Sequence, residues 1–383
     1  MLQNQRSSFT IPRDTTFLNC AYMSPIPKKV EAAGIEALHR KRNPGQITAK
    51  DFFTETELLR KEYAKLVNTK ETQRIVVIPS VSYGIANVVR NTHLAKGDEV
   101  LIASEEFPSD YYPWSGHCEE TGATLKTIHA PGDFNRRGER WNNRILESIN
   151  ANTKVVMMSN VHWADGTLFN LVAIRKRTNE VGAALVIDGT QSVGALPFDI
   201  QQIQPDALIC GGYKWLLGPY SMGLGYYGAR YDNGRPIEES WMNRENAEDF
   251  RSLVNYNPNY KQGSLRYEVG EHSNFIYVPM MTEAIKLLNK WKPANIQKYC
   301  KSITKETIDK LRNAGFWIED EDSRGQHLFG IRVPKHVDLE KMIPKFKKNK
   351  VIVSFRGDAI RVAVNVYNTR GDIDKLARLL LSK

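Results

Sequence analysis

An aspartate and a lysine, each just beyond a short apolar run, are the residues of this chain best suited to chemistry. Asp188 ends the run ALVID, and Lys214 closely follows the run DALICGG. Such runs predict buried strands of a parallel sheet, and the stretch between them is long enough for a crossover connection. Ligands bind at the carboxyl ends of such strands, so we expect the carboxylate and the amine to face one space.

This pair has the chemistry that pyridoxal 5′-phosphate (PLP) requires. The lysine supplies an amine for imine formation, and the acid keeps the pyridine nitrogen protonated. Glycines bracket Tyr213, Lys214 and Trp215, which suits close backbone approach to a ligand, and aromatic neighbours favour the neutral amine by desolvation. The run 80–82 (Ser-Val-Ser) lies between a predicted strand and a predicted helix, where backbone amides and hydroxyls suit a phosphate.

The elements that must position these residues follow from the apolar patterning. Helical segments separate the first group of predicted strands, which indicates an α/β domain with a parallel sheet: 74–79, 99–104, 123–130, 154–161, 184–189 and 206–212. Beyond residue 280 the pattern predicts helices at 281–291, 295–314 and 372–381 and strands at 327–334, 351–357 and 359–368. We therefore expect a large domain at 15–280 and a smaller α+β domain at 281–383, with residues 1–14 packing on the latter.

Composition excludes several other classes. The 383 residues carry a net charge of +10, but the densest basic run, 341–350, reads as the solvated face of a helix, so we expect no nucleic-acid partner. Eight scattered histidines and four scattered cysteines predict no metal site and a reduced, cytoplasmic protein. No apolar stretch is long enough for a membrane span, and the N-terminus lacks a secretory pattern. A nicotinamide-binding Rossmann enzyme would need a Gly-x-Gly-x-x-Gly directly after a strand, and none of the predicted strands is directly followed by that motif.

Two motifs together resemble the class V aminotransferase family of PLP enzymes, which includes cysteine desulfurases, isopenicillin N epimerase-like proteins and kynureninases. They are Asp188-Gly-Thr-Gln191 and Gly-Gly-Tyr213-Lys214-Trp-Leu-Leu-Gly-Pro, and the likeness extends from 17–27 to 361–369. The resemblance implies fold type I, with a mainly parallel seven-stranded sheet, a small C-terminal domain, and a homodimer whose sites lie at the subunit interface.

The resemblance also implies roles for the matching residues. Lys214 is the Schiff-base lysine and proton shuttle, and Asp188 pairs with the ring nitrogen. The other implied cofactor contacts are the phosphate group of Ser80, Val81, Ser82 and Tyr213, the stacking ring of Phe107, Thr190 on the opposite ring face, and Gln191 at the 3-oxygen. Arg361 clamps the substrate carboxylate; Arg356 is a second candidate, for which a surface role is an equal alternative.

His162 and Trp163 follow a predicted strand and are expected to point toward the substrate. For His162 we consider a catalytic role in proton transfer, a contact to the 3-oxygen, or a purely structural role. The loop 270–274 matches one that family members extend to the partner subunit's phosphate. Because Glu271 would repel that phosphate, Ser273 or Asn274 is expected to make the contact.

The sequence therefore predicts a PLP-dependent class V aminotransferase acting on an amino acid. The stretch 354–360 contains no cysteine, which disfavours a cysteine desulfurase. An epimerase or a C–C or C–S lyase of the same family is the first alternative, since one lysine does not determine which carbon receives the proton. The second alternative is a non-catalytic PLP-binding module.

Overall fold

The fold was described from a computed structural model covering residues 2–335 and 337–382. Its strands are β1 (Thr16–Phe17), β2 (Ile75–Ile78), β3 (Glu99–Ala103), β4 (Thr124–Ile128), β5 (Thr153–Ser159), β6 (Ala184–Asp188), β7 (Ala207–Gly211), β8 (Gly223–Tyr227), β9 (Leu328–Arg332), β10 (Val351–Ile352), β11 (Ser354–Arg356) and β12 (Ala359–Ala363). Its α-helices are α1 (Lys28–Lys41), α2 (Asp51–Leu66), α3 (Val81–Arg90), α4 (Pro108–Thr121), α5 (Arg137–Ser148), α6 (Leu171–Val181), α7 (Ile200–Ile203), α8 (Tyr277–Trp291), α9 (Pro293–Asn313), α10 (Leu339–Lys348) and α11 (Arg370–Leu381).

Seven strands form the main sheet in the order β2-β8-β7-β6-β5-β3-β4. Strand β8 runs antiparallel to both of its neighbours, and the other pairs are parallel. Every residue of β2, β6 and β7 is buried, as continuous Val/Ile/Leu runs predict for a sheet covered on both faces. The predicted α/β class and the mainly parallel seven-stranded sheet are confirmed.

One edge of this sheet gathers the loops that matter for function. Because β8 is antiparallel to β2 and to β7, those two strands run in the same direction, and their carboxyl ends lie on the same side as those of β3, β5 and β6. The loops after these strands carry the Ser80 turn, Phe107, His162, Asp188 and Lys214. The sheet therefore brings residues from five distant stretches of chain to one edge.

A second, three-stranded antiparallel sheet has the order β11-β12-β9. Near it the N-terminal residues pack on C-terminal ones: β1 pairs in parallel with β10, and the Gln5 amide donates to the Val366 carbonyl at 2.8 Å. The predicted boundary at residue 280 falls inside α8, which packs on α1 and α2. The division into two domains at that residue stays a prediction.

The strand predictions were wrong at three points. The predicted strand 351–357 is two short strands, β10 and β11, which belong to different sheets. The predicted strand 359–368 ends at Ala363, because the chain turns where the Asn368 amide donates to the Asn365 carbonyl at 2.9 Å. Strand β8 was not predicted, because its sequence GLGYY has two glycines in place of an apolar run. Within the described ranges, no helix is both long enough and apolar enough to cross a membrane.

Candidate active site

Asp188 and Lys214 lie beside each other at the carboxyl ends of adjacent strands. Asp188 is the last residue of β6 and pairs in register with Ile209 of β7, and Lys214 lies three residues after β7 ends. Both line a cavity of about 300 Å³, and their exposed fractions are only 5% and 6%. Burial lowers the pKa of Lys214 to about 8, although the Asp188 charge opposes that shift. The amine is therefore largely neutral in mildly alkaline solution, the form that attacks a carbonyl.

Asp110, on the first turns of α4, is a second buried acid that sequence reasoning missed. Its side chain is fully buried, and neither of its oxygens has a hydrogen-bond partner among the residues that the structure describes. Burial raises its pKa well above the ordinary aspartate value, and the charges of Asp188 and Glu106 add to the rise. Burial also raises the pKa of Asp188, against the hydrogen bonds from Thr190 and the charge of Lys214. Two acids that interact this closely titrate as a pair.

Aromatic rings surround the lysine. The Lys214 Nζ lies 5.2 Å from the ring centroid of Phe107 and 5.4 Å from that of Tyr213. Phe107 is fixed in the loop before α4, because the Glu106 carboxylate accepts hydrogen bonds from the Phe107 amide at 3.0 Å and from the Ser159 hydroxyl at 2.6 Å. Both rings line the cavity. The stacking of Phe107 on the cofactor ring and the contact of Tyr213 with the phosphate stay predictions.

The Ser80 turn caps helix α3 at the other end of the cavity. The Ser80 hydroxyl accepts a hydrogen bond from the Tyr83 amide at 3.2 Å and lies 2.9 Å from the Ser82 hydroxyl. Val81 is the first residue of the ten-residue helix, so its amide belongs to the first turn, whose amides have no intrahelical partner. All three residues line the cavity. Two hydroxyls and free amides at a helix N-terminus fit a phosphate group.

Thr190 and Gln191 differ in their access to the cavity. Thr190 lines it, and its hydroxyl accepts a hydrogen bond from the Gly211 amide at 2.9 Å. The Gln191 side chain lies behind the wall: its Oε1 accepts from the Trp215 indole at 2.9 Å, and its Nε2 donates to the Ala21 carbonyl at 3.1 Å. Nε2 has a second hydrogen with no partner among the described residues, so the implied contact to a 3-oxygen stays a prediction.

The expectation that His162 points toward the substrate is wrong. Its ring is fully buried beneath Trp141 and does not line the cavity. The Nε2 lies 3.2 Å from the Ser104 carbonyl, and the Nδ1 lies 3.3 Å from the Asp165 carboxylate. Burial alone would lower the pKa of His162, but Asp165 outweighs that effect and the pKa is raised. With both nitrogens facing protein acceptors, the ring has the environment of a structural histidine.

Trp163, Arg356 and Arg361 form a neighbouring cluster. The guanidinium carbons of Arg356 and Arg361 lie 5.4 Å and 5.9 Å from the Trp163 ring centroid. The Trp163 ring also meets the Phe107 ring edge-on at 5.5 Å, so the cluster adjoins the cavity wall. The structure thus brings the predicted substrate-binding residues together, next to the aromatic wall that faces Lys214.

Ser273 and Asn274 lie outside this cavity. Ser273 is buried, and the Asn274 carboxamide oxygen accepts hydrogen bonds from the amides of Ile276 and Tyr277, which begins helix α8. Among the described residues no group of three His, Cys, Asp or Glu side chains could hold a metal ion.

The fold and the site together define a fold type I PLP enzyme, and comparison with known proteins gives the family. The model of the aminotransferase class-V family matches residues 23–376. The chain therefore belongs to the class-V aminotransferase family, as its motifs predicted, and it is a PLP-dependent enzyme that acts on an amino acid.

Individual relatives agree with this membership. A Bacillus subtilis (strain 168) protein named as the uncharacterized aminotransferase YcbU is 24% identical over 98% of this chain and 96% of its own length. The apo cysteine desulfurase of Thermococcus onnurineus NA1 has a TM-score of 0.83 at 18% identity, covering 99% of this chain and 98% of that one. The cystine C–S lyase C-DES, in complex with its product cysteine persulfide, has a TM-score of 0.84 at 17% identity, covering 96% and 98%. These structural likenesses show the fold.

Proposed function

We propose that this enzyme transfers an amino group from an amino acid to a keto-acid acceptor. The observation that carries the proposal is the buried, readily deprotonated Lys214 beside two buried acids, with a phosphate-binding helix end across the same cavity. When bound, PLP supplies an electron sink for the bond broken at the substrate's α-carbon. In our proposal the Nζ of Lys214 takes the proton from the substrate's α-carbon, holds it, and then donates it to a different carbon.

The remaining residues bind and orient. Asp188, assisted by Asp110, holds the proton on the ring nitrogen, and Ser80, Val81 and Ser82 bind the phosphate, with Tyr213 near it. Phe107 stacks on one ring face and Thr190 approaches the other, and both exclude water. Gln191 donates to the 3-oxygen. Arg361 binds the α-carboxylate through its planar fork, beside Trp163.

The cysteines argue against a desulfurase. Strands β11 and β12 are joined by a short turn containing only Gly357 and Asp358, which leaves no loop for a nucleophilic cysteine. All four cysteines are buried, which supports a reduced, cytoplasmic protein. A C–S lyase remains the second candidate, because C-DES shares the fold and elimination requires no thiol from the enzyme.

A substrate panel tests the proposal. The PLP-loaded protein is incubated with amino acids, with and without keto-acid acceptors, while keto acid, ammonia and sulfide are measured. We expect the donor's keto acid to exceed one equivalent per active site only when an acceptor is present, and Lys214→Ala to abolish its formation. Lys261→Ala is the matched control, since Lys261 also lies over an aromatic ring, 4.2 Å from Phe53, but outside the cavity. Ammonia or sulfide release without acceptor would establish the lyase, and binding without turnover would establish a non-catalytic module.

We further propose a homodimer in which Ser273 or Asn274 lies near the partner's phosphate. The support is an exposed apolar surface around α1: Tyr22, Met23, Ile26, Ile35 and Leu38. Mixing Lys214→Ala subunits with subunits carrying both Ser273→Ala and Asn274→Ala tests the arrangement. Recovery of activity on mixing supports shared sites, and a monomer in light scattering would contradict them.

A further inference from the structure

Arg356 and Arg361, here called the arginine pair, lie on one face of a two-stranded ladder. Strands β11 and β12 are antiparallel, with Ser354 directly opposite Arg361. Arg356 is two residues beyond Ser354, so its side chain leaves the same face as that of Arg361. The two positions are diagonal neighbours, at a Cβ separation of about 7 Å in such ladders. The two arginine side chains therefore leave separate, neighbouring positions on one face of the ladder.

Neither member of the pair has an acidic partner in the parts of the chain that the structure describes. Arg361 is 1% exposed, and it donates to the Trp163 carbonyl at 2.8 Å and to the Ser354 hydroxyl at 3.5 Å. Arg356 donates to the carbonyl of its own neighbour Phe355 at 2.7 Å. The Nε of each arginine is buried and has no acceptor within residues 2–335 and 337–382. Asp358, in the adjoining turn, is engaged by Arg332 instead.

Arg361 is buried and Arg356 is half-buried, and holding two like charges together in such a place is costly unless an anion joins them. Burial lowers the pKa of Arg361 to about 9, and the charge of Arg356 contributes to that shift. Burial is the main cause that lowers the pKa of Lys214, and the charges of both arginines lower it further. The positive charges of Arg356 and Arg361 therefore act on the Lys214 amine. On the side where the substrate binds, the described residues place no acidic group against these two charges.

The arginine pair borders the space that a substrate must occupy. The Trp163 ring contacts both guanidinium groups and the Phe107 ring, and the Phe107 ring in turn lies 5.2 Å from the Lys214 Nζ. A single carboxylate is satisfied by one planar guanidinium fork. A second, separate fork on the same face therefore suits a second anionic group.

We propose that the arginine pair selects substrates with two acidic groups: an amino acid, or the keto acid that accepts its amino group, bearing a carboxylate or similar anion on its side chain. Arg361 binds the α-carboxylate, and Arg356 binds the distal acid. This inference rests on the proposed function and adds the substrate class to it.

Calorimetric titration of the PLP-free protein tests the pair without any turnover. The probes are glutarate, which has two carboxylates, and butyrate, which has one. A charge-assisted contact at Arg356 predicts that glutarate binds at least about tenfold more tightly than butyrate. We expect Arg356→Gln to remove that preference while butyrate binding is unchanged, and Arg356→Lys to restore part of it. Arg140→Gln, an exposed arginine on α5, is the matched control and should change neither affinity.

Two results would overturn the inference. One is equal affinity of the unaltered protein for both probes. The other is an equal loss of both probes in Arg356→Gln, which would assign both arginines to one carboxylate. Failure of the proposed function looks different, because an enzyme that releases ammonia or sulfide without an acceptor can still prefer glutarate over butyrate. With the loaded enzyme, dicarboxylic amino acids and dicarboxylic keto acids are then compared to learn which partner carries the second acid.

Discussion

Two buried acids next to one lysine give the site a particular proton chemistry. Asp110 and Asp188 both have raised pKa values in the protein without cofactor, chiefly because they are buried. A cationic ring nitrogen beside them would reverse this effect, since an opposite charge favours the carboxylate. A positively charged ligand beside Asp110 and Asp188 would therefore favour the ionised form of this acid pair.

Replacing Asp110 tests whether the two buried acids interact favourably with a positively charged ligand. We expect Asp110→Asn to weaken PLP binding by about tenfold, since a charge-assisted interaction is lost. The PLP-free variant should gain about 1 kcal/mol of unfolding free energy near neutral pH, because a poorly solvated acid is removed. Fluorescence titration with PLP and urea unfolding measure the two effects. The exposed Asp322→Asn serves as control.

The pH dependence has a definite sign. The folded protein keeps a proton on Asp110 that the unfolded chain releases at the ordinary aspartate pKa. Stability of the PLP-free protein should therefore fall as pH rises from about 4 toward the raised pKa. Asp110→Asn should lose less stability over that interval, and an identical slope for both proteins would contradict the assigned pKa shift.

Sequence alone predicted much of this chemistry, but not all of it. Asp188 and Lys214 could be located because each lies at the end of an apolar strand, where parallel sheets place ligands. Asp110 could not, because the stretch PSDYYPW has no apolar period, and only the packing of α4 brings it beside Asp188. His162 was misassigned because its position after a strand resembles that of a site residue, whereas its ring turns toward Asp165.

At the scale of elements, the loop between β6 and β7 depends on Gly194. Its φ is +101°, and a Cβ there would lie 2.4 Å from the Trp215 carbonyl oxygen. We expect Gly194→Ala to cost about 3 kcal/mol of unfolding free energy, since it combines backbone strain with a clash against backbone next to Lys214. The variant should also bind PLP less tightly.

Gly182→Ala is the matched control. Its φ is +74°, but nothing lies within 4 Å of the added Cβ, so only the conformational cost of about 1 kcal/mol applies. Urea unfolding of the two variants separates the clash from the strain. Equal losses would mean that Trp215 moves aside without cost.

The helices and strands also show which sequence patterns predict secondary structure well. Helices α8, α9 and α11 and the buried strands of the parallel sheet were predicted from apolar periodicity to within a few residues. Strand β8 escaped because its pairing with β2 and β7 supplies the stability that its own glycines do not. Such a strand is specified by its neighbours more than by its own sequence.

At the scale of the whole molecule, Asp165 joins parts that are far apart in the chain. Its carboxylate accepts hydrogen bonds from Arg137 of α5 at 2.9 Å and Arg332 of β9 at 3.4 Å, and it faces His162. Burial opposes ionisation, but the bond from His162 and the charges of His162 and Arg137 lower the pKa of Asp165 well below its ordinary value. The main sheet and the smaller sheet therefore meet at one buried anion.

We expect Asp165→Asn to cost about 3 kcal/mol or more, because three cationic or protonatable groups lose their shared partner. The exposed pair of Arg140 and Asp133 is the control, and Asp133→Asn should leave the free energy of unfolding almost unchanged, because water and salt screen an exposed pair. The contribution of Asp165 is present above the ordinary aspartate pKa and is lost as pH falls through its lowered pKa. Acid unfolding of the unaltered protein and of the variant therefore measures the same interaction.

The position of Gln191 behind the cavity has a consequence for biosynthesis. Its side chain is held by Ala21 and Trp215, and its backbone carbonyl lies 2.8 Å from His327, so segments from near both ends of the chain converge on it. A nascent chain emerging from the ribosome cannot form all of these contacts to Gln191 until His327 has been translated, long after Lys214. An incomplete chain that ends before His327 would therefore contain Lys214 without the full set of contacts that hold Gln191 in place.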